Sequence, residues 1–125
     1  MRLVVLLLLS LLAGTAHAQQ SPTYVVYFQE WSAALDNSAQ AEIANAAAWA
    51  KAHPDTTVQV VGAADPTGSR AANILLSELR AQVVVDQLTE DGVVAQRIAQ
   101  TGTGSVQFAL TSQESRRVTV TFGTH

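Results

Sequence analysis

Cysteine is absent from the 125 residues, so the chain has neither a disulfide framework nor a thiolate metal site, and its fold must be held by an apolar core. Basic side chains are few, seven Lys and Arg against ten Asp and Glu, for a formal charge of −3. Without a basic stripe to displace counterions from phosphate, nucleic acid is excluded as a partner. Aromatic residues make up only 6%, and no run of them forms a carbohydrate platform; Trp31 and Trp49 are expected to serve as core or edge packing. Histidine occurs three times, never in HExxH spacing, and no nucleophile has a base beside it. A metal centre, a cofactor and a catalytic role are therefore not expected. Long apolar runs are also missing after residue 12, and no strand-rich segment suits an outer-membrane barrel.

The one apolar run present is at the start. Met1-Arg2 is a short positive segment, Leu3 to Leu12 is apolar apart from Ser10, and Ala16-His17-Ala18 is a small-residue cleavage site. The run falls well short of the roughly 20 residues a membrane span needs. It predicts a secretory signal peptide over residues 1–18, removed after Ala18. The exported chain then begins at Gln19 with six basic and ten acidic side chains, a charge of −4. Gln19–Thr23 is a short polar tail, and residues 24–123 form one domain.

Along that domain, Tyr24 to Phe28 is a β-branched and aromatic run that predicts a strand. Asp36 or Ser38 caps a helix over Ala39 to Ala52, with Ile43, Ala46, Ala47 and Ala50 on one face, and His53-Pro54-Asp55 stops it. Thr57 to Val61 predicts a second strand, ending at Gly62. A long helix follows, with Leu76, Ala81, Val84, Val85 and Leu88 as its apolar stripe and Asp91-Gly92 as its exit. Arg97 to Thr101 and Val118 to Phe122 supply two more strands. Gly102 to Ser115 is expected to be a loop, with Gly102-Thr103-Gly104 as a turn, since it lacks the third glycine and the following helix of a dinucleotide fingerprint. The order β-α-β-α-β-β implies an α+β, two-layer domain, a mixed sheet covered by two main helices.

Between the second strand and the long helix lies Gly62-Ala-Ala-Asp65-Pro-Thr-Gly68-Ser-Arg-Ala-Ala-Asn73, followed by Leu76-Ser77-Glu-Leu-Arg80-Ala81. This pattern resembles the signature of the OmpA-like domain, the peptidoglycan-holding module also found in Pal-type lipoproteins. The resemblance runs from Tyr24 to Phe122, with Val26-Tyr27-Phe28 as the first strand, Leu35 as the apolar position after it, and Arg116-Arg117 opening the last strand. No cysteine follows the leader to carry a lipid. The resemblance implies a non-catalytic module that binds peptidoglycan non-covalently in the periplasm, near the outer membrane or cell wall, in the company of other envelope proteins.

It also implies a ligand, the diaminopimelate-containing stem peptide, and a ligand-binding set of Asp65, Asn73, Arg80 and Arg116. The free end of diaminopimelate carries an ammonium and a carboxylate on one carbon. An aspartate accepts from the first, and a planar guanidinium makes two parallel bonds to the second. Gln29 in place of an aspartate, and Ala63-Ala64 in place of a hydroxyl-bearing pair, depart from the family pattern. Each residue also has a plainer role: Asp65 as an Asx-turn residue, Arg80 on a helix surface, Asn73 as a cap, one of Arg116 and Arg117 in solvent. A scaffold with a degenerate wall site is the alternative function.

One geometric conflict stays open in the sequence. In an unbroken helix from Ser69, Arg80 lies roughly 16 Å along the axis, far from Asp65. Either the Asp65–Gly68 loop curls over the helix or Ser77 caps a fresh one.

Overall fold

The computed structural model describes residues 21–105 and 115–124. The expected leader, its cleavage site and most of the loop before Ser115 lie outside these residues. Strand β1 (Tyr24–Tyr27), helix α1 (Asn37–Ala52), strand β2 (Thr56–Ala64), helix α2 (Arg70–Glu90), strand β3 (Ile98–Ser105) and strand β4 (Arg117–Thr124) follow in order, with a 3-10 turn at Ala95–Arg97 before β3. This is the expected β-α-β-α-β-β order. The strands form one mixed sheet in the order β1-β4-β2-β3. β4 lies antiparallel between β1 and β2, with Val26 opposite Val118 and Val60 opposite Val120. β2 and β3 are parallel, which requires the long crossover that α2 supplies.

Both helices cover the same face. Alternate residues Val58, Val60, Val118 and Val120 point into one core with Ile43, Ala46, Ala47 and Ala50 of α1 and Ala81, Val84 and Leu88 of α2. Alanine lets α1 sit close, and its start is fixed by Asp36, whose carboxylate accepts from the Ala39 N–H at 2.7 Å. α2 starts at Ser69, whose hydroxyl accepts from the Ala72 N–H at 3.1 Å. It leaves at Asp91-Gly92, where Gly92 takes φ 104°, a conformation that glycine adopts without strain.

Two expectations about α2 and β3 are corrected. Ala81, Val84 and Leu88 face the core with Val85 half-buried against it, as expected, but Leu76 stands outside the core, and the inward line of α2 instead carries Asn73, Ser77 and Arg80 above them. Gly102-Thr103-Gly104 is not a turn: it continues strand β3 to Ser105. The physical reason is close packing. A Cβ on Gly62 would stand 2.0 Å from the Ser77 carbonyl oxygen, and one on Gly102 would stand 2.5 Å from the Glu78 nitrogen, so only glycine lets the sheet touch the helix backbone. The extra residue on β3, between the Gly62–Gly102 and Ala64–Ser105 pairs, is taken up as a bulge at Gly104, φ 71°. Its N–H donates to the Ser77 hydroxyl at 2.8 Å.

Candidate functional site

α2 is continuous, so Ser77 does not cap a new helix; its hydroxyl donates to the Ile74 carbonyl at 2.8 Å. Because Gly62 lies against Ser77, the first two turns of α2 stand beyond that glycine. The Asp65–Gly68 loop runs up beside them, and the Asn73 amide holds it by donating to the Thr67 carbonyl at 2.7 Å. Arg80 covers the remaining distance with its own length, since helical side chains lean toward the N-terminus. The conflict posed by the sequence is thus resolved by a loop that lies along the helix and an arginine that reaches back.

Arg80 has no exposed surface. Its guanidinium donates to three carbonyls: Nε to Ser32 at 2.8 Å, Nη1 to Ala63 at 3.1 Å and Nη2 to Gln29 at 3.0 Å. It also lies 5.3 Å from the centre of the Phe28 ring, within cation–π range. Burial lowers the pKa of Arg80 from its ordinary value, the Asp65 carboxylate opposes that shift, and the nearby Arg116 charge adds to it. Guanidinium nevertheless stays charged in proteins. The expectation of an arginine given over to a ligand therefore changes. Arg80 ties the β1–α1 turn to the end of β2, and the three carbonyls use three of its five donors.

Arg116 stands just before β4. Its Nη1 meets Asp65 Oδ2 at 3.2 Å, with 19% and 11% of the two side chains exposed. Its Nε donates to the Phe28 carbonyl at 3.2 Å, and its own carbonyl accepts from the Phe28 N–H at 2.8 Å. Asp65, Asn73 and Arg80 line one small cavity, and Arg116 joins it through Asp65. All four residues singled out in the sequence thus meet at the end of β2, drawn from three separate segments. Arg117, the other member of the pair, begins β4.

Trp31 is the residue that sequence reasoning missed. It was expected in the core or at a packed edge, yet it is 54% exposed. It occupies the third position of a turn closed by the Ser32 N–H on the Gln29 carbonyl at 3.1 Å, and its φ is 54°. Turns with a positive φ there favour glycine, and a bulky residue held in that region costs about 1–3 kcal/mol. Its ring lies over Gly68, where an added Cβ would stand 2.7 Å from Trp31 Cη2. No sequence pattern announces a tryptophan in such a position. Trp49, by contrast, packs at 4.4 Å on Phe122 and 3.8 Å on His53, as an edge residue should.

Among the described residues no cluster of three His, Asp or Glu side chains is placed to hold a metal, and no helix is long and apolar enough to cross a membrane. The fold and site together define a small two-layer α+β domain with a charged pocket at one end of its sheet. The sequence model of the OmpA family matches residues 27–119. The chain belongs to that family.

The peptidoglycan-binding protein ArfA of Mycobacterium tuberculosis is 48% identical over 56 residues, 45% of this chain and 17% of that protein. The chain therefore spans less than a fifth of that relative's length. The OmpA-like domain of FopA1 from Francisella tularensis superimposes with a TM-score of 0.72 at 25% identity, covering 81% of this chain and 71% of that one. The peptidoglycan-associated lipoprotein from Burkholderia pseudomallei shares the fold, with a TM-score of 0.75, 24% identity, and coverage of 80% and 90%.

Proposed function

We propose that this domain binds peptidoglycan non-covalently, without catalysis, by taking the diaminopimelate end of the stem peptide into the pocket at the end of β2. The observation that carries this reading is the Asp65–Arg116 pair at 3.2 Å, in the field of a third charged group, Arg80. Such a set holds an acceptor-only anion and a forked cation within one ligand's reach. The ligand ammonium takes Asp65, and its carboxylate takes Arg116 and the remaining N–H groups of Arg80. Asn73 sets the loop that carries Asp65. Two relatives named for peptidoglycan binding or association support the same reading, as does the envelope association they imply. Export by cleavage after Ala18, residence in the periplasm and a domain over residues 24–123 belong to this proposal.

The burial of Arg80 against three carbonyls favours a second reading, a scaffold that contacts envelope proteins and keeps the arginine for its fold alone. Titration with two soluble stem peptides separates them, one ending in diaminopimelate and one in lysine, which has the same chain and ammonium without the carboxylate. The wall-binding reading expects saturable binding of the first, about tenfold or more weaker binding of the second, and loss of the first with Asp65→Asn. Equal binding of both peptides overturns the diaminopimelate assignment, and no binding of either gives the scaffold reading the lead.

A further inference from the structure

The cavity at the candidate site holds only about 10 Å³, roughly the space of one water. Arg116 also lines an open groove of about 700 Å³, but no amino-acid end fits the small cavity as the structure shows it, so a ligand that reaches Asp65 and Arg80 there requires one wall to move. Three walls are fixed. Arg80 is held by three carbonyls, Asn73 by the Thr67 carbonyl, and Asp65 by Arg116. The remaining described walls are Thr67, whose backbone Asn73 holds, Leu76, half-buried on α2, the exposed Glu30, and Trp31, whose ring closes the gap over Gly68. Trp31 is also the one non-glycine residue with positive φ among the described residues. Its side chain gains little burial in return.

We propose that Trp31 is the movable aromatic wall of this site: it swings off Gly68 to admit the ligand, then packs on the ligand's aliphatic chain across from Leu76. The inference rests on the wall-binding reading above and adds to it a requirement on ligand shape. The charged end goes to Asp65 and the arginines, and the methylenes behind it lie between an indole and a leucine. Glu30 at the rim places a second anion on the approach of the ammonium. The turn that presents Trp31 is pinned on both sides, because Arg80 donates to Gln29 and to Ser32. The ring can therefore move about its own side-chain bonds while its backbone stays in place.

Two measurements on the full exported domain test this. In the Trp49→Phe background Trp31 is the sole tryptophan, and its emission should shift on titration with the soluble diaminopimelate-ended peptide, saturating at the affinity that calorimetry gives. Trp31→Gly should melt at or above the wild-type temperature, since glycine takes that φ freely, yet bind the peptide about tenfold or more weakly. Trp31→Phe should lose less. A structural role for the ring predicts the opposite, a lower melting temperature with unchanged affinity, and that result overturns the proposal. If Asp65→Asn abolishes binding while Trp31→Gly binds as wild type does, Trp31 alone is misassigned. If the wild-type protein does not bind the peptide, the wall-binding reading fails and this proposal falls with it.

Discussion

Strand β2 is clamped by an arginine at each end, and the two clamps leave different things over. At its start, Arg97 donates to the carbonyls of Thr56 at 3.0 Å and His53 at 2.9 Å and to the Thr56 hydroxyl at 3.1 Å. At its end, Arg80 donates to the carbonyls of Ala63, Gln29 and Ser32. Both tie a loop to the sheet by filling backbone acceptors. Only the second has a carboxylate, another guanidinium and a strained tryptophan beside it. An arginine on carbonyls is thus a structural device in this domain. Asp65 also offsets the burial of Arg80 and Arg116 also holds the Phe28 carbonyl, but their ion pair at 3.2 Å has no counterpart at the start of the strand.

That comparison can be broken most directly at Arg80. Arg80→Ala strands buried carbonyls and leaves Asp65 with one fewer cation, and should cost about 3–5 kcal/mol of stability in urea unfolding. A loss of binding in that variant would carry no information about the ligand. Arg97→Ala should cost less, about 1.5–3 kcal/mol, and leave peptide affinity at the wild-type value; equal costs at the two ends would erase the distinction. Arg116→Gln keeps a donor for the Phe28 carbonyl while removing the charge. Its ion pair with Asp65 is mostly buried, so leaving that carboxylate with one fewer cation should cost about 1–3 kcal/mol of stability. Peptide affinity should fall about tenfold, near 1.4 kcal/mol, and that loss, absent from Arg97→Ala, sharpens the contrast between the two ends. Smallest is Ser69→Ala, which removes the α2 cap at a cost of about 1 kcal/mol. Because Asn73 holds the loop independently, titration should find affinity unchanged.

Local chemistry made most of the fold legible. The alanine face of α1, its Asp36 cap, the β-branched strands and the Asp91-Gly92 exit are written within a few residues of where they act. What escaped depends on approach between distant segments. Gly102 and Gly104 look like a turn until α2 is known to lie on the sheet there, and β2 runs on through Ala63-Ala64 for the same reason. The resemblance singled out Asp65, Asn73, Arg80 and Arg116, which the fold brings together, but the burial of Arg80 was not legible. Its acceptors at Ser32 and Gln29 lie 48 and 51 residues away in the chain. Trp31 carries its information in a backbone angle that only the assembled turn imposes.

The position of β4 sets the timing of assembly. Strand β4, made after β1, β2 and β3, lies in the middle of the sheet, between β1 and β2, so among the described residues β1 has no ladder partner until Arg117 to Val120 are present. A nascent chain can build the β2–α2–β3 unit early, yet it cannot join β1 to the sheet before the β4 segment emerges. Arg116 arrives with that segment. The ion pair at the pocket therefore cannot form before Arg116 is made, and a chain cut short before that residue would have neither a joined sheet nor the Asp65–Arg116 pair.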